Sequence, residues 1–327
     1  MAVFYAIEQG LVLHKNGQRL LAKKEGKVKK AIHFHTLEQV VLIGQIGLTP
    51  AVISALLKRN IDTVFLTKSG RYLGRLMPMA GKNIELRLRQ FERFQDMNFR
   101  ERIARAIVKG KVENQRLLLR RINRKGLGLE DTILRLKQLA KKTEEADIAS
   151  LRGIEGTAAR FYFEGLAKGF NEDWQFKGRE KRPPKDPLNA LLSLGYTLLF
   201  SNVLCAINLV GLDPYLGCFH SIDYGRPALA FDLMEEWRAV IVDALVLSVI
   251  NRKVISRDNF AIEEEGVYLS SEGWQKFITQ FERKMNEKVT HPEREEKISY
   301  RAYIEDQVRR FCRDIKGEEE YKAVVFR

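Results

Sequence analysis

From Pro187 to Leu212 the chain reads PLNALLSLGYTLLFSNVLCAINLVGL, 26 residues without a charge. A helix of that length either spans a bilayer or lies in the middle of a protein. Asn189, Ser193, Tyr196, Thr197, Ser201, Asn202 and Asn208 place too many polar groups along it for a helix facing lipid. It is expected to be a buried core helix, with no membrane partner. The 327 residues, 45% of them hydrophobic, suffice for a helical domain built around it and a second domain besides.

Charge points to the partner. Lys plus Arg number 56 against 42 acids, a formal net charge of +14, which favours a polyanion: nucleic acid or an anionic membrane surface. Up to Ala80 there are 12 basic residues against 4 acids, a net +8, so the remaining 247 residues carry only +6. Cys205, Cys218 and Cys312 are odd in number and widely spaced, which fits a reducing cytoplasm better than a disulfide framework or a zinc knuckle. The N-terminal MAVFYAIEQG alternates like a strand and meets an acid at Glu8, unlike a signal peptide.

The pattern predicts an α+β protein, with a small β-rich N-terminal domain (1–80) followed by a larger all-α domain (84–327). FYAI, LVLHKNGQRLLA, VKKAIHFH, VVLIG, DTVFLT and GRYLGRL read as strands, and Asn16-Gly17 as a hairpin turn. TPAVISALLKR reads as a helix capped by Thr49 with Pro50 in its first turn. The boundary is placed at Met77 to Asn83. Helices are then expected over 84–109, 111–125, 129–142, 144–168, 271–288 and 299–316. FKGREKRPPKDP (176–187) has the composition of an exposed connection.

The stretch CFHSIDYGRPALAFDLMEEWRAVIVD (218–243) sets Asp232, Glu235, Glu236 and Asp243 into an apolar helix. At about 100° per residue, Glu235 and Glu236 fall about 60° and 40° to either side of Asp232, and Asp243 about 20° away. Acids sharing one face repel, and burying them unpaired costs several kcal/mol. They either face solvent and arginines or hold a divalent cation. His220, just before the helix, is either a structural residue or the nitrogen of a mixed N/O ligand set suited to Mn²⁺ and able to hold Mg²⁺. His14, His33, His35 and His291 carry no such context. Glu155, between Gly153 and Gly156, either marks a tight helix crossing or a place that a metal or phosphate can approach.

LRGIEGTAARFYF, DPLNALLSLGYTLLFSNVLCAI and LGCFHSIDYGRPALAFDLMEEWRAVIVD, in that order, resemble the CRISPR-associated protein 1 family, the endonuclease/integrase of CRISPR adaptation. The resemblance implies a divalent-metal-dependent DNA endonuclease and integrase that inserts short DNA into a repeat array. It implies metal ligands at Glu155, His220 and Glu235 for Mg²⁺ or Mn²⁺, with Asp232 as a further ligand or as a hydrogen-bond partner behind the ligands. Arg238 matches a basic position near the site, Asn189 and Tyr196 match a recurrent pattern without assigned roles, and Glu236 and Asp243 are left as structural. The implied partners are double-stranded DNA with 3′ single-stranded ends, a second copy forming a homodimer through the N-terminal domain, and the small CRISPR-associated protein 2.

Chemically, a metal at such a site acts as a Lewis acid on a phosphodiester; a DNA 3′-hydroxyl as attacker gives strand transfer and water gives hydrolysis. Lys23, Lys24, Lys27, Lys29 and Lys30 either track a DNA backbone or form a solvated strand face. A plain metal-dependent repair nuclease and a non-catalytic DNA-binding scaffold are the competing functions.

Overall fold

The computed structural model describes residues 2–77, 83–180, 183–263, 266–291 and 296–326. The N-terminal part has eight strands: β1 (Ala2–Ala6), β2 (Val12–Asn16), β3 (Arg19–Lys24), β4 (Lys27–His33), β5 (Leu37–Ile43), β6 (Gly47–Leu48), β7 (Asp62–Leu66) and β8 (Tyr72–Leu76), with helix α1 (Pro50–Lys58) before β7. They form two four-stranded sheets, ordered β4-β3-β2-β6 and β1-β5-β7-β8.

The first hairpin turns on Gly17 at φ +55°, with Asn16 closing the strand opposite Arg19. The second turns on Glu25 and Gly26, both left-handed at φ +51° and +76°, the pair of values a two-residue turn between twisted strands requires. Strand β4 is an exposed edge, so Lys27, Lys29 and Lys30 lie in solvent, where charge also blocks edge-to-edge pairing. Thr49 does precede α1, but its hydroxyl makes no cap bond.

In the second sheet the period-2 pattern of β5 serves two cores. Val40 and Leu42 face the small core of the N-terminal part, with Phe4, Leu13, Leu20 and Leu56. Val41 and Ile43, with Val64 and Leu66 of β7, face the helices and join their core. The expected boundary at Met77 to Asn83 falls largely on residues 78–82, outside the described residues.

The C-terminal part is mostly helical: α2 (Ile84–Gln95), α3 (Met97–Ile122), α4 (Glu130–Lys142), α5 (Ile148–Ala167), α6 (Pro187–Val210), α7 (Ala228–Met234), α8 (Ala244–Asn251), α9 (Ser271–Asn286) and α10 (Tyr300–Lys316). Two short hairpins interrupt it, β9 (Phe260–Glu263) with β10 (Gly266–Leu269) and β11 (Lys288–Thr290) with β12 (Lys297–Ser299).

The charge-free segment is α6, 94% buried inside the protein over its most apolar window. Three of its polar residues bond back to the helix's own backbone. Thr197 and Ser201 donate to the carbonyls of Ser193 and Thr197 (3.0 and 2.9 Å), and Asn202 donates to Leu198 (2.8 Å). The Pro-rich connection before it is less free than its composition suggests. Phe176 is buried, Arg179 is bonded to Asn189 and Ser193, and the Pro184 carbonyl accepts from the Val267 N–H (2.9 Å).

The helix break expected at Gly110 lies instead at Asp96, whose side chain caps α3 through the Asn98 N–H (2.9 Å). Gly110 is mid-helix because the C-terminal tail crosses there: a Cβ would stand 2.5 Å from that of Ala323. Asn114, one turn on, holds the tail by donating to the Val324 carbonyl (2.8 Å) and accepting from the Phe326 N–H (3.0 Å). Gly110→Val is therefore expected to lower the unfolding free energy by about 1–3 kcal/mol in urea titrations. Gly153→Ala, whose added Cβ meets nothing within 4 Å, is expected to be neutral or stabilising.

Candidate metal centre

Helix α7 starts just after Pro227 and does not continue regularly. A tight 3₁₀ turn, Glu235–Trp237, and a wide π turn, Arg238–Asp243, follow before α8. The four acids part by partner: Asp232 and Glu235 both meet His220, Asp243 meets Tyr162 and Tyr196, and Glu236 meets the C-terminal tail. All four are buried, at 0% (Asp232), 3% (Glu235), 0% (Glu236) and 1% (Asp243) exposure, and each has its own surroundings.

Asp232 folds the preceding loop onto α7. Its Oδ2 accepts from the N–H groups of Cys218 (2.5 Å) and Phe219 (3.0 Å), and its Oδ1 from the N–H (2.9 Å) and ring Nδ1 (2.7 Å) of His220. Gly217 permits this closeness, since a Cβ there would meet Ala228 Cβ at 2.5 Å. A carboxylate can only accept, so Nδ1 carries a proton and Nε2 is the nitrogen turned away from Asp232, the one whose lone pair a neutral imidazole would offer. With both oxygens engaged, Asp232 fits the orienting role behind a ligand rather than that of a ligand.

Nε2 of His220 points toward Glu235, 3.8 Å from its Oε1. Arg238 Nη2 lies 3.1 Å from the same oxygen, and Lys111 Nζ lies 2.6 Å from Oε2. Burial pushes the Glu235 carboxyl up, but Arg238, Lys111 and His220 outweigh it and hold it at about 2. Glu155, from α5, is ion-paired to the same Lys111 ammonium. Gly153 and Gly156 face open space, so the tight crossing entertained for this stretch is absent. Helices α3 and α5 instead approach closely at Gly165, where a Cβ would meet Leu119 at 2.8 Å.

The two other acids are structural. Asp243 accepts from the hydroxyls of Tyr196 (2.5 Å) and Tyr162 (2.6 Å), and burial raises its carboxyl to about 6 against the lowering effect of those bonds. Glu236 accepts from the Val324 N–H (2.6 Å) and the Tyr321 hydroxyl (3.0 Å) and anchors the C-terminal tail. Burial outweighs these bonds and pushes it to about 8.

Asn189 and Tyr196 now have places. Asn189 accepts from Arg179 Nη1 (2.7 Å) and donates to the Gly178 carbonyl (2.9 Å), which holds Arg179 beside the site. The guanidinium of Arg238 lies 4.8 Å, and that of Arg179 5.5 Å, from the centre of the Tyr196 ring. A cavity of about 510 Å³ opens here, lined among others by Lys111, Glu155, Arg160, Lys177, Arg179 and Arg238. Elsewhere, His33 and His35 sit together at the surface, and His291 is buried, 3.3 Å from Asp306.

Among the described residues, no three acid, histidine or cysteine side chains stand as they are within reach of one ion. Glu155, Glu235 and His220 Nε2 nevertheless supply an N/O donor set suited to Mg²⁺ or Mn²⁺, with the Lys111 ammonium between the two carboxylates. Lys111 was missed in the sequence. Its one signal is periodic: it falls on the apolar face of α3, in step with Ile107, Val108, Leu118 and Ile122, where a solvated lysine does not belong.

Glu236 makes stability depend on pH. The folded state keeps a proton up to about pH 8 that the unfolded chain releases near 4.5. This contribution is full below 4.5 and is lost as pH rises to about 8. Urea titrations at pH 5, 7 and 9 are expected to show a decline that Glu236→Gln flattens; equal slopes in both proteins would contradict it.

Residues 4–283 match the family described as CRISPR associated protein Cas1. A relative from Thermus thermophilus, "CRISPR-associated endonuclease Cas1 3", is 34% identical over 321 residues, covering 97% of this chain and 95% of its own. The fold is shared with a casposase bound to integration product (TM-score 0.89, 23% identity, 100% of this chain and 95% of the other). It is also shared with a chain of a Cas6-RT-Cas1–Cas2 complex (TM-score 0.86, 27% identity, 99% of this chain and 36% of the other). Taken with the motifs and the fold, these matches establish that the chain belongs to the Cas1 family of CRISPR-associated endonucleases.

Proposed function

We propose that this Cas1-family chain is a divalent-metal-dependent DNA endonuclease and integrase that joins short DNA to a CRISPR repeat array. The observation that carries the proposal is that Glu235 faces His220 Nε2 and shares the Lys111 ammonium with Glu155, beside a cavity rich in arginine and lysine. Bound there, Mg²⁺ or Mn²⁺ supplies Lewis acidity toward the scissile phosphodiester.

The protein's own groups do the rest. Asp232 fixes the His220 tautomer that leaves Nε2 available. Arg238, stacked on Tyr196, sets a cation where negative charge grows on the phosphate. Arg179, Arg160 and Lys177 hold the DNA backbone at the cavity by charge, without reading sequence. The thiols offer no nucleophile: burial raises Cys205 to about 12 and Cys218 well above its ordinary value. The attacking oxygen therefore comes from outside, a DNA 3′-hydroxyl for integration or water for cleavage.

The partners are duplex DNA with 3′ single-stranded ends, a second copy of the chain through the β-rich part, and Cas2. The Cas2 partner is supported by likeness to a chain of a complex that contains Cas1 and Cas2.

The test incubates the protein and a Cas2 partner with a repeat-bearing plasmid, a short duplex carrying 3′-hydroxyls, and Mg²⁺ or Mn²⁺. Wild type is expected to join the duplex to the plasmid, and Glu155→Ala, His220→Ala and Glu235→Ala to lose joining and cleavage together. Cleavage without joining would leave a plain nuclease; joining that survives all three changes would overturn the site. Asp232→Asn is expected to weaken Mn²⁺ affinity by about 10–100-fold, measured by calorimetry, because the imidazole loses its anchor.

A further inference from the structure

Lys111 is a lysine where the centre needs a cation. It is 7% exposed, lies on the inward face of α3, and its ammonium contacts Glu155 of α5 and Glu235 of the 3₁₀ turn at once. Two carboxylates, Glu155 and Glu235, are matched by two cations, Lys111 and Arg238, so the cluster is neutral with no metal present. The ammonium donates to Glu155 and stands 2.6 Å from Glu235 Oε2, so a single positive charge bridges the two carboxylates. A cation that bridges two carboxylates in this way can be exchanged for another cation. The exit lies beside it, because Lys111 lines the cavity of about 510 Å³.

We propose that Lys111 is an exchangeable counter-cation: it holds Glu155 and Glu235 together before the divalent ion arrives and must leave the carboxylates for the ion to bind. The inference rests on the metal reading of the site. Its physical content is a competition. A divalent ion entering while the ammonium stays would face like charge at close range in a poorly screened interior. Apparent affinity is therefore the intrinsic affinity multiplied by the fraction of molecules in which Lys111 has swung away. Lys111 is on this account a positioning residue, which sets the threshold for loading the centre and keeps the two acids from repelling one another until then.

The experiment titrates Mn²⁺ into wild type, Lys111→Met, Lys111→Gln and Glu155→Gln, following bound Mn²⁺ by loss of the free-ion paramagnetic resonance signal. Melting temperatures are recorded alongside in EDTA and in Mn²⁺. If the ammonium occupies the carboxylates about nine-tenths of the time, Lys111→Met tightens binding about tenfold. Lys111→Gln, which keeps the shape and N–H donors without the charge, shifts the same way and serves if the Met variant does not fold. Both variants melt lower than wild type in EDTA and gain more from Mn²⁺. Equal or weaker Mn²⁺ binding in both variants, alongside wild-type binding that Glu155→Gln abolishes, overturns the exchange and leaves Lys111 a structural ion pair. Absence of any Glu155-dependent binding in wild type overturns the metal reading, and the exchange with it.

Discussion

Four carboxylates buried along one broken helix are the constraint around which the helical half is organised. An uncompensated charge in such a place costs several kcal/mol, so each acid must be met by donors, by a cation or by a proton. All three solutions occur within twelve residues. Asp232 is met by donors, chiefly backbone N–H groups released by the loop after Gly217. Glu235 is met by cations, Lys111 and Arg238. Glu236 is raised to about 8 and keeps its proton, while Asp243 at about 6 lies between these regimes.

These solutions separate fold from chemistry. The Glu236 bonds close the C-terminal tail over α3, and the Asp243 bonds tie α5 and α6 to the π turn through Tyr162 and Tyr196. What remains for the proposed metal centre is the acid that stays charged, Glu235, and the imidazole that Asp232 has oriented. Glu155 reaches them from α5 through Lys111.

Much of this was legible in the sequence, for identifiable reasons. The charge-free run predicted α6, since a segment without charges has few places to go. The two-part α+β organisation followed from the change in period near residue 80. His220, Asp232, Glu235 and Glu155 were reached through chemistry and resemblance. Other features depend on distant partners that no local pattern encodes. Gly110 looked like a helix break because the tail residue it accommodates, Ala323, lies 213 positions away. Glu236 is held by Tyr321 and Val324 of the tail, partners that periodicity along one helix does not reveal. The pairing of Lys111 with Glu235 joins α3 to a turn 124 residues later, and only the off-pattern lysine hinted at it.

The central claim is that Glu155, His220 and Glu235 close on one divalent cation in this fold. Crystals soaked in Mn²⁺ and measured on both sides of the manganese absorption edge test it most directly. The account predicts one strong anomalous peak within bonding distance of His220 Nε2 and of both carboxylates, with the Lys111 ammonium displaced toward the cavity. A peak bound elsewhere, or none at this centre at saturating Mn²⁺, would contradict it.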